Sequence, residues 1–427
     1  MKFTEELSWR NLIFDKTPGV DDFFSNENVT GYVGFDPTSK SLHVGNLLPI
    51  MNLVRLQKYG HTPIALVGGG TGLIGDPSGK SEERKVLTDL EIEENLFSIE
   101  NQLKKFLDFD SNLSNKALIL NNAKWLKKIS LIDFLRDVGK HFTVNYMMKK
   151  ESVKSRVSRD TGISFTEFSY MTLQAYDFLH LYENFDCKLQ MGGSDQMGNI
   201  LAGVDLINRK NPGPKSYLAH GIVSPLITSS SGEKFGKTAG EAPTLDPNKT
   251  SAYKLYQFFI NTPDEDVINY LKYFSNLNSS EIEDLENETI NDPKKRVAQN
   301  KLAENLVEIV HGNNGLSDAK KITEYFFNEK YNDLTEQNII DLSESFPSFE
   351  ISKKALKEDL KLGKFLVDNN VFNSMSEMKR MSDQGALYIN GNRINDAGTS
   401  LTQDLFIRNN FMVIRVGSKK YHLSVLK

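Results

Sequence analysis

Val29-Thr30-Gly31-Tyr32-Val33-Gly34-Phe35, running into Asp36-Pro37-Thr38, is the stretch on which the fold turns. It reads as a buried strand that ends on a polar turn. Leu47, Ile50, Met51 and Val54 then recur at helical spacing, and Gly60 stands where a C-terminal cap is expected. Pro63-Ile-Ala-Leu-Val-Gly-Gly69 follows as a second apolar run closing on glycines. Strand, helix and strand over residues 29–69 make a βαβ unit.

Outward from this unit, residues 90–185 carry mostly helical patterning, with a strand predicted at 117–120. Further short strands are predicted at 188–192 and 221–225. A parallel sheet with helices on both faces is the economical architecture. Residues 248–325 read as all-helical, with Pro263 and Pro293 opening segments, and the polar, proline-containing stretch 343–352 reads as a linker. Beyond it, Ser374-Met-Ser-Glu377 has the capping-box pattern, Met378 and Met381 give an apolar stripe, and Gly385 stops the helix. A strand over 386–390 then meets the tight-turn pair Asn390-Gly391.

At 427 residues the chain exceeds what one core supports, since single cores rarely grow past about 250–300 residues. Charged residues at 25% and hydrophobic ones at 39% are ordinary for a globular protein. No apolar run approaches the roughly 20 residues of a bilayer span. The start, Met1-Lys-Phe-Thr-Glu-Glu-Leu7, lacks the apolar stretch of a secretory signal. A single cysteine, Cys187, excludes an internal disulfide framework and a cysteine zinc cluster, so a reducing cytosol is expected. Charge is uneven. Residues 350–427 hold 13 Lys/Arg against 8 Asp/Glu, and the remainder holds 38 against 48. A basic tail on an acidic body points to nucleic-acid contact at one end, or to no more than an unevenly charged solvated surface.

Four motifs carry chemistry. Residues 36–46 lie where the first strand gives way to its helix, a place that favours anions and ligands. His43 and Asn46 are one turn apart and can address one phosphate, and Gly45 leaves room for a ring on the backbone. The same pair serves equally well as an N-cap. Second, Gly70-Thr-Gly72-Leu-Ile-Gly75 has the spacing of a dinucleotide fingerprint. It fails that reading because Pro77 follows at once and because the run succeeds the second strand of its unit. Five glycines between Gly68 and Gly75 read instead as a floor beneath a ligand, followed by a basic loop with Lys80 and Arg84. Third, Tyr170, Gln174 and Asp177 share a helix face that normally holds core residues. With Met191-Gly192-Gly193-Ser194-Asp195-Gln196 they predict a polar pocket. Fourth, Lys234-Phe-Gly-Lys-Thr238 follows Ser229-Ser-Ser-Gly232, a composition suited to a closing lid. A lone K-x-x-K is uninformative, but beside His43 and Asn46 it suggests an ATP site at which an α-phosphate is attacked.

These residues resemble a known family. Asp36…His43-Val-Gly-Asn46 is similar to the HIGH signature of class I aminoacyl-tRNA synthetases, with Asn for the last His, and Lys234–Thr238 is similar to their KMSKS loop. In order and spacing, residues 32–38, 69–80, 169–178 and 192–199 resemble the bacterial type of the tyrosyl branch. The resemblance implies a Rossmann-like, doubly wound α/β domain with a helical insertion over 1–225 and a mobile loop over 226–247. It further implies an all-helical domain over 248–325 on the anticodon side, a linker over 326–354, and a small α+β RNA-binding domain over 355–427, similar to one in a ribosomal protein. The implied reaction joins L-tyrosine to ATP as an adenylate, releases pyrophosphate, and passes tyrosine to tRNA(Tyr).

By the same resemblance, Tyr32 and Asp177 bond the substrate phenol. Tyr170, Gln174 and Asp76 hold its ammonium, with Gln196 near its carboxylate. Gly34, Asp36, Thr38, His43, Gly45, Asn46, Gly193, Asp195 and Lys237 contact ATP, and Lys234, Lys237, Thr238, Lys80 and Arg84 close over pyrophosphate. Lys379, Arg380, Arg393, Lys419 and Lys420 meet tRNA. ATP with Mg²⁺ is the implied cosubstrate, without a tightly bound metal; a cytoplasmic homodimer joined near residues 125–165 is implied as well. Val33, Pro49 and Met197 depart from common residues of the family and bear on ATP affinity. A tryptophanyl-type sibling or another nucleotidyl transferase, and a non-catalytic RNA-binding descendant, are the competing readings. Asp177 with Tyr32 favours a phenol over an indole, and the retained His43 and loop lysines favour a working enzyme.

Overall fold

The computed structural model describes the chain except residues 1, 27, 77–86, 111, 151–152, 155–156, 158–161, 214–216, 233–234, 237–241, 354–355, 357–359, 397 and 418–419. The chain forms two compact units, residues 1–246 with 262–302, and residues 247–261 with 303–427.

The first unit is built on a six-stranded sheet of β1 (Asp15–Lys16), β2 (Thr30–Phe35), β3 (Thr62–Val67), β4 (Leu118–Asn121), β5 (Cys187–Gly193) and β6 (His220–Ser224). Their order is β1-β6-β5-β2-β3-β4, all parallel except the short edge strand β1. From β2 the chain moves to β3 on one side, while β5 lies on the other. That reversal opens a crevice at the carboxyl ends of β2 and β5. Each predicted strand lies within a residue or two of its observed bounds.

Helix α1 (Leu47–Lys58) makes the first crossover, burying Leu47, Ile50, Met51, Leu53 and Leu56. Gly60, at φ +85°, follows it in the left-handed region that glycine adopts without strain. Helix α2 (Phe165–Phe185) starts where Ser164 accepts from the Glu167 amide and stops at left-handed Asp186. It packs closely on α3 (Met197–Lys210), because a Cβ at Gly203 would lie 2.8 Å from Phe178 Cδ1. Tyr32, Ile64, Leu66, Phe178, Leu181 and Ile207 share the core beneath the crevice.

Two buried guanidiniums tie α4 (Asp264–Phe274) to this sheet domain. Arg10 donates to the carbonyls of Lys272 (2.7 Å) and Ser275 (3.2 Å), and Arg55 to those of Tyr273 (2.7 Å) and Ser275 (3.1 Å). The carbonyl-rich end of a helix attracts cations, and Glu6 at 2.8 Å balances Arg10. Arg55 sits in the last turn of α1, so the helix that begins beside His43 and Asn46 is fastened at its far end to α4.

The second unit holds β7 (Ser348–Ile351), β8 (Leu387–Ile389), β9 (Asn392–Arg393), β10 (Phe411–Val416) and β11 (Lys420–Leu426), ordered β7-β11-β10-β8-β9. β7 corrects the expectation of a linker, since it pairs parallel with β11. Only Ile351 of this edge strand is buried, so its sequence carries the polarity of a loop. The span 326–354 also contains a helix, Glu336–Ser343. Helix α5 (Met375–Asp383) is capped by Ser374, which accepts from the Glu377 amide at 3.2 Å. The reciprocal half of the expected box is diverted, because Glu377 accepts from the Asn373 amide instead. Asn390 and Gly391, at φ 49° and 81°, form the expected two-residue turn between β8 and β9. Tyr253, Ile322, Phe326 and Tyr331 share a core with Phe411, Val413 and Leu423, so helical segments and sheet are one body here.

Candidate active site

A cavity of about 390 Å³ opens in the crevice. Its wall includes Tyr32, Gly34, Asp36, Thr38, His43, Asn46, Asp76, Tyr170, Gln174, Asp177, Gly193, Asp195 and Gln196. Gly45 is not in that wall. A Cβ there would lie 2.6 Å from His43 Cε1, so the ring resting on Gly45 is the chain's own imidazole.

His43 and Asn46 cap a short 3₁₀ turn over Val44–Asn46 reciprocally. His43 Nδ1 accepts from the Gly45 amide at 2.9 Å, and Asn46 Oδ1 accepts from the His43 amide at 3.0 Å. Capping and pocket lining are therefore the same arrangement. An accepting Nδ1 puts the proton of the neutral ring on Nε2.

The two phosphate motifs, far apart in sequence, are neighbours. The Val44 amide donates to Pro243 O at 3.0 Å and the Leu245 amide to Leu42 O at 2.7 Å. Gly236, at φ +84°, lies where a Cβ would be 3.3 Å from Val44 Cγ2. Phe235 packs its ring on Tyr270 and Phe274 of α4, at 4.9 and 5.1 Å between centroids. Ser230 is held by Asp266 of the same helix through its amide at 3.0 Å. Lys234, Lys237, Thr238, Lys80 and Arg84 lie outside the described residues.

At the depth of the cavity stand Tyr32 and Asp177, 1% and 2% exposed. Tyr32 Oη has no hydrogen-bond partner among the described residues, nor does the buried Oε1 of Gln190, its neighbour across the sheet. A buried polar atom left unpaired costs about 1–3 kcal/mol, so two in one cavity wall mark a place for a polar ligand. Asp177 Oδ2 accepts from Asn122 Nδ2 at 2.8 Å and Oδ1 from Trp125 Nε1 at 2.7 Å. Burial raises its pKa to about 7; the two donors pull the other way, and Asp36 adds to the rise. The Tyr32 phenol is pushed well up, first by burial and then by Asp177, and stays protonated.

A chain of side-chain bonds reaches the wall from behind: Asn199 donates to Gln174 (3.1 Å), Gln174 to Gln196 (3.3 Å), and Gln196 to Asp76 (2.8 Å). Gln196, expected near the substrate carboxylate, is thus joined directly to Gln174 and Asp76. Asn122, Trp125, Gln190 and Asn199 escaped the sequence reading. Asn122 and Trp125 follow the carboxyl end of β4, the same position on a strand that singled out Asp36, so a signal existed. Of the glycine floor, Gly68 lines the cavity, whereas Asn122 Oδ1 accepts from the Gly70 amide at 2.7 Å and Asn121 crowds Gly69.

On the second unit, Lys379 and Arg380 are exposed on α5, and the Arg393 guanidinium lies against Gly385 just beyond it. Glu377 of α5 has its pKa lowered, chiefly by Asn373, with Lys420 among the lesser causes. These four basic residues therefore gather at one helix, while Lys419 lies outside the described residues. Among the described residues, no group of side chains could hold a metal ion, and no helix is long and apolar enough to cross a membrane.

A doubly wound sheet with a His–Asn turn and a lysine-loop anchor at its switch point is the arrangement of a class I aminoacyl-tRNA synthetase. The family model for tRNA synthetases class I (W and Y) matches residues 25–328. A model for the tyrosine–tRNA ligase SYY-like C-terminal domain matches residues 338–424. The tyrosine–tRNA ligase of Roseiflexus castenholzii is 48% identical over 98% of both chains, and that of Geobacillus stearothermophilus 48% over 99% of both. The chain belongs to the tyrosine–tRNA ligase family and is an aminoacyl-tRNA-forming enzyme. Among solved structures, a C-terminally truncated mitochondrial tyrosyl-tRNA synthetase of Aspergillus nidulans is 34% identical, with a TM-score of 0.68 over 76% of this chain and 94% of that one. The Archaeoglobus fulgidus tyrosyl-tRNA synthetase, at 17% identity over 75% of this chain and 99% of that one, shares the fold with a TM-score of 0.52.

Proposed function

We propose that the cavity seats L-tyrosine with its phenol between Tyr32 and Asp177 and its ammonium at Asp76, Tyr170 and Gln174, with ATP reaching in from the His43 side. The observation that carries this reading is the Tyr32 Oη without a partner among the described residues, beside the buried carboxyl of Asp177. Tyr32 donates to the substrate hydroxyl, and that hydroxyl donates to Asp177. Phenylalanine can do neither, and an indole N–H can donate but cannot accept. A site built around a hydroxyl rejects the analogue lacking it, a rule for which tyrosyl-tRNA synthetases are themselves the usual illustration.

The carboxylate of tyrosine is already a nucleophile at neutral pH, so the first step needs no general base. One carboxylate oxygen bonds to the α-phosphorus as the bond to the bridging oxygen breaks, and pyrophosphate leaves with that electron pair. The barrier is the approach of two anions, lowered by positioning and preorganised donors. His43, through its Nε2 proton, Asn46 and Thr38 meet the phosphates. Lys234, Lys237, Thr238, Lys80 and Arg84 supply charge around the leaving pyrophosphate, and Mg²⁺ arrives on the ATP as part of the substrate. Gly34, Asp36, Gly193 and Asp195 line the nucleotide side. In the second step a 3′-terminal hydroxyl of tRNA attacks the carbonyl and AMP departs.

The tail residues Lys379, Arg380, Arg393, Lys419 and Lys420 hold structured RNA through its phosphates. Two chains pair through the helical insertion, a reading supported by Leu131, Ile132 and Phe165, each about 70% exposed or more. The buried free thiol of Cys187 suits a reducing cytoplasm. ATP–pyrophosphate exchange with tyrosine, tryptophan and phenylalanine in turn tests the whole reading: exchange with tyrosine alone is expected, and equal exchange with tryptophan would refute the phenol site.

A further inference from the structure

The back wall of the tyrosine pocket has an outer side. The Trp125 indole is held against one face of α2 at two points a turn apart. Its Nε1 donates to Asp177 at 2.7 Å, and its ring lies on that of His180, with centroids 4.3 Å apart and planes 19° from parallel. Asp177 and His180 are at i and i+3, neighbours on the helix surface, so one indole spans both. His180 is itself fixed by Asn184 one turn on. Asn184 Nδ2 donates to the His180 carbonyl at 2.8 Å and stands 3.3 Å from its Nδ1. Trp125 is only 8% exposed, yet beside the stack is an open cleft lined by Lys124, Lys128 and Tyr176. Both rings of the stack line that cleft, with the short, buried Trp125–Asp177 hydrogen bond on the inner side of the indole.

We infer that His180 is a positioning and specificity-determining residue for tyrosine recognition, clamping Trp125 so that the indole N–H fixes the Asp177 carboxylate toward the substrate hydroxyl. The inference rests on Asp177 being the phenol acceptor. Asp177 has one fixed donor on each oxygen, Asn122 and Trp125, and both are needed to stop the carboxylate turning about its last bond. Asn122 is secured by two further bonds, donating to Thr71 Oγ1 at 2.9 Å and accepting from the Gly70 amide at 2.7 Å. The indole has its stack on His180 beside its bond to Asp177. Removing the stack lets Trp125 tilt and lets water compete for Asp177, while the ATP side of the cavity is untouched.

The test is steady-state ATP–pyrophosphate exchange on the full-length enzyme. His180→Ala should raise KM for tyrosine roughly 2- to 12-fold, the equivalent of an aromatic pair, with kcat at saturating tyrosine and KM for ATP unchanged. Exchange with phenylalanine should not move, so Tyr/Phe discrimination falls by the same factor. His180→Phe, which restores a ring to the stack, should recover the wild-type KM. In a Trp125→Phe background, which already lacks the donor, His180→Ala should add nothing, the signature of a coupled pair. An unchanged tyrosine KM in His180→Ala overturns the clamp, as does an equal loss in the Trp125→Phe background or a parallel rise in KM for ATP. His180→Gln makes the same test should the alanine variant fail to fold. If Asp177→Asn leaves discrimination intact, the phenol-acceptor reading fails and this one with it; a failure confined to His180→Ala leaves that reading standing.

Discussion

At Asp177 burial bears on both the proposed specificity and its pH dependence. Its folded pKa of about 7 stands above the ordinary 3.8 because burial outweighs the bonds from Asn122 and Trp125. Below about pH 7 it holds a proton and is a weaker acceptor for a phenol, so tyrosine affinity should rise with pH through that value. Equilibrium binding from pH 5.5 to 8.5 checks this, and Asp177→Asn should give a weaker, flat profile with Tyr/Phe discrimination eroded. Stability runs the opposite way. Between pH 3.8 and about 7 the folded chain keeps a proton that the unfolded chain has lost. This contribution is therefore lost as pH rises through the folded pKa. The same substitution should flatten that part of the melting-temperature profile in the absence of tyrosine. The residue was legible in sequence as a polar group on a face meant for apolar ones. Its donors carried only the signal of lying just beyond the carboxyl end of β4; sheet order, not local pattern, brings Asn122 and Trp125 to α2.

At the scale of elements, α4 is more than a support. It receives Phe235 on Tyr270 and Phe274, Ser230 on Asp266, and the guanidiniums of Arg10 and Arg55 at its far end. The loop that carries the lysines is therefore seated on a helix fixed to α1, whose first turn follows the His43–Asn46 cap. Phe235→Ala should slow pyrophosphate exchange at saturating substrates by roughly 10- to 100-fold, as a small misplacement of catalytic groups does, while tyrosine binding is unchanged. Pre-steady-state adenylate formation beside a tyrosine titration separates the two. An equal loss in both would show that Phe235 supports the whole domain instead. Composition marked this loop as basic and glycine-bearing, but its apolar anchor was hidden, since one phenylalanine carries no periodicity.

For the whole molecule, the shared core of the second unit decides which truncations are informative. Cutting the chain at 355 would strip Phe411, Val413 and Leu423 from a core they share with Tyr253, Ile322 and Phe326. Replacing Lys379, Arg380 and Arg393 by alanine leaves that core whole. Aminoacylation of tRNA should then fall at least about tenfold with pyrophosphate exchange unchanged, and the salt dependence of tRNA binding should become shallower by roughly one unit of slope for each phosphate no longer bound. The exposed apolar face of the insertion makes a separate prediction. Ile132→Asp should shift the sedimentation mass at micromolar concentration from that of a pair to that of one 48.3 kDa chain.

Sequence by itself determined the βαβ unit, the parallel sheet, the ordered polar motifs of the crevice, and the basic tail, because each is a local pattern of periodicity, caps and charge. It also placed Tyr32 and Asp177 in one pocket through their resemblance to a family. The tertiary structure alone decided what surrounds them. It put the indole of Trp125 and the amide of Asn122 on Asp177, left Tyr32 Oη without a partner among the described residues, seated Phe235 on α4, and placed β7 in an expected linker. These are facts of long-range proximity and burial, and local propensity carries no information about which distant side chain will fill a given space.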